Sequence, residues 1–276
     1  MSETETTPGT TVQPVVRVAD LVRRFGPITA VNHLSFAVNP GVVCGLLGRN
    51  GAGKTTVLKI LTTLLPPTSG TAYVCGFDVR RNPTAVRRSI GYVPQALSAD
   101  AELTAYENLL LAATLYDVPR RLRDQRIGAA LRMMGLDHAA KRLVRTFSGG
   151  MIRSLEIAQA TLHEPSVLIL DEPTVGLDPL ARQTVWNHIK TLKLGQRCTV
   201  LLTTHYMDET EHLCDVIAIM HQGALVAEGT PEHLKRALGD TATLDDVFAH
   251  FTGAGAEPEG AYGEISRTRH VADRLG

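Results

Sequence analysis

The sequence predicts an α/β fold built on a largely parallel sheet, and three observations carry that prediction. Short β-branched and apolar runs at 15–18, 42–47, 167–170 and 199–203 alternate with helical patterns near 54–64, 148–162, 179–193 and 207–214, the rhythm of βαβ units. A glycine-rich turn, Gly48-Arg49-Asn50-Gly51-Ala52-Gly53-Lys54-Thr55, joins the second run to the first helical pattern. The run Ser166-Val167-Leu168-Ile169-Leu170 ends in two carboxylates, Asp171 and Glu172, where open parallel sheets place their ligands.

Taken in order, residues 1–14 are Thr- and Glu-rich without periodicity and read as a weakly ordered tail. The first residues are acidic and polar where a signal peptide needs a basic start and an apolar run, so the chain is expected to stay in the cytoplasm. The principal domain spans 15–235. Between about 97 and 147 the βαβ rhythm stops: two helical patterns, around 106–116 and 122–134, occur with no convincing strand. This predicts an inserted helical subdomain, extending to about 162 with the helix that follows. Arg120, Arg121, Arg123 and Arg126 lie in it and read as a solvated helix face, with acidic loops or lipid headgroups as the alternative. Residues 236–276 form a small helical extension, signalled by Leu244-Asp245-Asp246-Val247-Phe248, and a flexible tail rich in Gly, Glu and Arg.

Composition narrows the function classes. The 276 residues suffice for one sizeable α/β core with an appendage. Lys+Arg and Asp+Glu are both 28, so no global basic field favours nucleic acid. The longest apolar runs are strand-sized, well short of the roughly 18–20 residues that span a bilayer. Cys44, Cys75, Cys198 and Cys214 have no C-x-x-C spacing and read as buried small hydrophobes in a reducing compartment.

The turn fits G-x-x-x-x-G-K-[ST], a loop whose backbone N–H groups cradle phosphates. Its strand and helix flanks put those phosphates at a helix N-terminus. The binding set is Gly48, Arg49, Asn50, Gly51, Ala52, Gly53, Lys54, Thr55 and Thr56; Lys54 would neutralise the β/γ oxygens and the Thr55 hydroxyl would hold Mg²⁺. Asp171 would serve the same Mg²⁺, directly or through water, and Glu172 would orient or deprotonate the water attacking the γ-phosphorus. An Asp-Glu pair can also simply cap a strand entering the turn at Pro173-Thr174. Thr146-Phe147-Ser148-Gly149-Gly150-Met151 opens a helix whose Met151, Leu155, Ala158 and Leu162 repeat at helical spacing. Ser148, Gly149 and Gly150 therefore stand where a helix end could receive an anion, although an N-cap alone accounts for Ser148.

With these segments in this order, the chain resembles the ATP-binding cassette family, the ATPase subunits of ABC transporters, over roughly residues 15–235. Residues 48–55 match its Walker A loop, Gln95 in Ile90-Gly91-Tyr92-Val93-Pro94-Gln95 its Q-loop, 147–151 its signature, and 167–172 its Walker B strand. Gly176-Leu177-Asp178-Pro179 matches the D-loop and Thr203-Thr204-His205 the switch histidine. The signature carries Phe147 and Met151 where the family has Leu and Gln, and keeps Ser148, Gly149 and Gly150. The resemblance implies a P-loop NTPase core with a mixed sheet, the inserted helical subdomain and an N-terminal antiparallel β subdomain. It implies ATP and Mg²⁺ as cofactors. Phe25 would stack on adenine, though a Phe beside Gly26-Pro27 can equally be a turn residue tucked into the core. Gln95 would reach Mg²⁺ or the attacking water, His205 would sense the γ-phosphate, and Asp178 would cross to a partner subunit.

The same resemblance implies a head-to-tail dimer with a second cassette, a second copy of this chain in the simplest case. Each ATP would be clamped between Lys54 of one cassette and the signature helix of the other. It also implies a separate multi-span permease, which would hold the chain peripherally at the cytoplasmic membrane face. Residues 203–209, 226–231 and 244–248 resemble the daunorubicin-resistance type of bacterial export ATPase, whose cargo includes drugs and lipids. An importer ATPase and a soluble non-transport ATPase are the alternative readings.

Overall fold

The computed structural model describes residues 13–196 and 198–253. The tails expected before 13 and after 253 lie outside the described residues. In chain order the strands are β1 (Val16–Phe25), β2 (Ile28–Val38), β3 (Val43–Leu47), β4 (Ser69–Val74), β5 (Phe77–Asp78), β6 (Ile90–Val93), β7 (Val167–Asp171), β8 (Thr199–Thr204), β9 (Val216–His221) and β10 (Ala224–Gly229). The helices are α1 (Lys54–Leu61), α2 (Pro83–Ser89), α3 (Ala105–Leu115), α4 (Arg120–Met133), α5 (Gly149–Thr161), α6 (Pro179–Gln196), α7 (Met207–Leu213), α8 (Pro231–Leu238) and α9 (Leu244–Thr252).

The strands form two sheets. One is antiparallel, in the order β2-β1-β4-β5; the other runs β10-β9-β3-β8-β7-β6, parallel from β9 to β6 with β10 an antiparallel edge. The continuous apolar runs of β3, β7 and β8 are explained by burial on both faces, since alternate side chains point to opposite sides. Val43, Leu47, Leu168, Leu170, Val200 and Leu202 pack with side chains of α3, α4, α5, α6 and α9. Cys44, Leu46, Val167, Ile169 and Leu201 pack with α1 and the antiparallel sheet.

Local chemistry sets the helix starts. Gly53 precedes α1 with φ 99°, and a methyl there would come within 2.3 Å of the Ala30 carbonyl oxygen, so only glycine lets the loop pass that strand. Thr104 and Glu107 close a capping box on α3, and Thr243 and Asp246 close another on α9. Between β6 and α5 the regular elements are α3, α4 and two short 3₁₀ turns, joined by loops, with one isolated antiparallel bridge, Thr104 to Leu143.

Two expectations need correction. Arg120 and Arg121 are exposed, whereas Arg123 and Arg126 are half-buried and hydrogen-bonded rather than freely solvated. Arg123 Nε donates to the Val118 carbonyl at 2.9 Å, and Arg126 reaches the Leu162 carbonyl at 3.1 Å and Glu164 at 2.9 Å, because these long side chains satisfy backbone ends left open by neighbouring turns. Cys44, Cys198 and Cys214 are buried free thiols, whereas Cys75, just after β4, is only half-buried.

Candidate functional site

The carboxyl ends of β3, β8, β7 and β6 lie side by side, and each delivers one component. After β3 the glycine-rich loop turns into α1, with Gly51 and Gly53 at φ 84° and 99°. The loop borders a cleft of about 420 Å³ lined by Ala30, residues 49–56, Gln95 and Glu172. Lys54 is 5% exposed; its Nζ donates to the Gly48 carbonyl at 2.6 Å and stands 3.4 Å from Glu172 Oε1. Burial pulls the Lys54 ammonium below its ordinary value, and the Glu172 charge opposes that pull.

Three polar side chains converge on Glu172. Gln95 Nε2 donates to Oε2 at 3.0 Å, His205 Nδ1 lies 3.2 Å from Oε1, and Lys54 approaches the same oxygen. An ionised carboxylate only accepts, so this contact assigns the proton to His205 Nδ1. The hydrogen bond from His205 leads the causes that hold the Glu172 carboxyl below the usual range, with the Lys54 charge assisting against burial. Glu172 also takes φ 48°, a left-handed conformation that costs a non-glycine residue of order 1–3 kcal/mol. Its N–H donates to the Thr203 hydroxyl at 2.9 Å and to the Thr203 carbonyl at 3.2 Å, which fixes that conformation.

Asp171 is buried at the end of β7. Its Oδ1 accepts from Thr203 Oγ1 at 2.6 Å and from Thr55 Oγ1 at 3.1 Å. A hydroxyl, one carboxylate and an amide from Gln95 are hard oxygen donors of the kind Mg²⁺ takes when substrate phosphates complete its shell. Among the described residues no group of three or more His, Cys, Asp or Glu side chains could cage a metal, so the donor set fits an ion held partly by phosphate.

The remaining sequence-predicted residues lie apart from this cluster. Ser148, Gly149 and Gly150 begin α5, where the Ser148 oxygen accepts from the Met151 N–H at 3.3 Å; none of them lines the cleft. Asp178 is exposed and accepts from the Leu180 and Ala181 N–H groups, both at 3.0 Å. Phe25 is not tucked into the core: it is 43% exposed, with the Arg23 guanidinium 4.5 Å above its ring. Sequence reasoning missed the part played by Thr203, which the register of β7 with β8 sets opposite Asp171. It also missed a buried ion pair beneath Gln95, Arg153 with Glu156, which in sequence is an ordinary i,i+3 pair.

With a phosphate loop, a hard-cation donor set and an ionised carboxylate above them, the arrangement suits in-line transfer of a phosphoryl group to water. Comparison with known proteins agrees. The family model described as ABC transporter matches residues 31–175. The chain is 43% identical over 217 residues to the doxorubicin resistance ATP-binding protein DrrA of Mycobacterium tuberculosis, covering 78% of this chain and 65% of that protein. It is 39% identical over 230 residues to the probable multidrug ABC transporter ATP-binding protein YbhF of Escherichia coli, covering 83% of this chain and 39% of that one. The chain thus spans under two thirds of the length of either relative. A solved ATP-binding subunit of an ABC transporter superposes with a TM-score of 0.77 at 32% identity, over 86% of this chain and 99% of that structure.

Proposed function

Because this chain belongs to the ABC transporter family, we propose that it is the ATP-hydrolysing subunit that drives a separate membrane permease, exporting a drug, lipid or similar amphipathic cargo. The observation that carries the catalytic part is the meeting of Gln95, His205 and Lys54 on Glu172 beside the phosphate loop. In this reading the loop N–H groups and Lys54 hold the phosphates, and Glu172, kept ionised, accepts the proton of the attacking water. Gln95 orients that water, and His205, beside Glu172, senses the γ-phosphate. Mg²⁺, held through Thr55, Asp171 and Gln95, would neutralise charge developing on the phosphoryl oxygens.

The export direction is supported by the names of the relatives, doxorubicin resistance and multidrug. Among the described residues no helix is long and apolar enough to cross a membrane, which fits peripheral attachment at the cytoplasmic face through a permease. We assign residues 15–235 to the cassette, with its helical subdomain at about 97–162, and 236–276 to an extension. The signature helix end at Ser148, Gly149 and Gly150, with Asp178, is assigned to a second cassette's ATP in a head-to-tail dimer.

Replacing Glu172 tests the reading. Glu172→Gln keeps size and hydrogen-bonding reach but cannot take a proton; ATP binding should persist while turnover falls by about 10²-fold or more, and an ATP-bound dimer should accumulate. Near-normal hydrolysis would remove Glu172 as the base. The trapped dimer, used as bait in detergent-solubilised native membranes, should recover a multi-span permease; ribosomes or DNA in its place would end the transport reading.

A further inference from the structure

Within α5, five and eight residues past Ser148, Arg153 and Glu156 form an ion pair, Nη1 to Oε2 at 3.0 Å, with both side chains 2% exposed. The pair is not spent inside its helix. Arg153 Nη1 donates to the Pro94 carbonyl oxygen and Nη2 to the Gln95 carbonyl oxygen, each at 2.7 Å. Glu156 Oε1 accepts from the Ser98 N–H, from the Ser98 hydroxyl at 3.1 Å and from the Ala99 N–H at 3.3 Å. All but one of these bonds end on main chain, so they fix the course of the backbone on both sides of Gln95 whatever its neighbours' side chains are. The Gln95 amide at the end of that segment reaches Glu172.

A buried ion pair is a poor device for stability alone, because well-packed apolar residues of similar volume often do as well or better. What a planar guanidinium fork and a carboxylate with several acceptor sites supply is fixed geometry. We propose that Arg153 and Glu156 are positioning residues for hydrolysis: they lock the 94–99 backbone to α5, so that the amide over Glu172 and the helix end at Ser148 move as one body. The inference rests on the hydrolytic reading above, and adds to it two residues that touch neither nucleotide nor water.

The test compares purified full-length wild type, Arg153→Lys, Gln95→Ala and the double variant. Lysine keeps the charge but not the two-pronged fork. Arg153→Lys should lower kcat by about 10- to 100-fold, the cost of misplacing a reacting group by an ångström or less, while ATP affinity, read with a fluorescent analogue, stays within about twofold. If the effect runs through Gln95, Arg153→Lys should cost little further in the Gln95→Ala background. Glu156→Gln, which retains the oxygen facing Ser98, provides a second route to the same kcat-against-affinity split should Arg153→Lys not fold. Unchanged kcat in a folded variant, or losses that simply multiply in the double variant, would overturn the proposal while leaving the hydrolytic reading intact. Wild type that binds ATP without hydrolysing it would overturn both.

Discussion

Glu209 and Glu172 are both buried, yet their surroundings move them in opposite directions. Glu172 faces His205 and Lys54 and is held ionised, so its contribution to stability is present above the ordinary carboxylate range and lost as pH falls through its folded pKa. Glu209, on α7, is 0% exposed; its Oε1 accepts from the Thr174 hydroxyl at 2.8 Å and the Trp186 indole at 3.0 Å, while Oε2 has no hydrogen-bond partner among the described residues. Burial pushes this carboxyl up despite those bonds. A raised folded pKa means that the contribution is full below the unfolded value, near 4.5, and fades as pH rises. Glu209→Gln keeps an acceptor for Thr174 and Trp186 without a charge to bury. It should therefore melt above wild type at about pH 8, with the gap closing as pH is lowered toward 4.5. A gap independent of pH would show that the carboxyl pays nothing for ionising there.

The contact between β6 and α5 places Gln95. Gly91 permits it: a methyl there would come within 2.1 Å of the Ala160 carbonyl oxygen and 2.9 Å of its carbonyl carbon, both backbone atoms that cannot swing aside. Gly91→Ala should therefore cost about 1–3 kcal/mol or more in urea unfolding, in line with overpacked cores. Stability within experimental error of wild type would mean that strand and helix separate freely. Elements with a local signature were legible in sequence: β3 and β7 as apolar runs, α1 by its glycine turn, α3 to α6 by helical spacing. β9 carries a comparable apolar run, Val216 to Met220, and was within reach of the same reasoning. β6 is four residues long with a glycine inside, β5 has two residues, and β2 breaks its alternation at Asn32-His33, where His33 takes φ 49°. Those strands exist because neighbours supply partners, which sequence periodicity does not record. The site divides the same way. The phosphate loop and the Asp171-Glu172 pair are contiguous, whereas the meeting of Gln95, Glu172 and His205 depends on β6, β7 and β8 being adjacent.

At the scale of the whole molecule, the groups proposed to meet phosphate are divided between two places. The loop, Asp171, Glu172, Gln95 and His205 share the carboxyl edge of the parallel sheet, while Ser148, Gly149 and Gly150 begin a helix outside the cleft. A glycine-framed helix start outside the phosphate-loop cleft makes sense if a second chain brings the phosphate to it, which is the basis of the proposed head-to-tail dimer. Mixing two inactive variants distinguishes this from hydrolysis within one chain. Lys54→Ala loses the loop's cation but keeps its helix end; Ser148→Arg blocks the helix end but keeps the loop. In a mixed dimer the loop of the Ser148→Arg chain faces the helix end of the Lys54→Ala chain, so one of two sites is whole. Equal mixing makes half of the dimers mixed, and about one quarter of wild-type sites should return. Each variant alone should stay near background, and recovery should rise with total protein concentration as dimers form. A mixture no more active than its parts would place both halves of the site within one chain and dissolve the argument for the clamp.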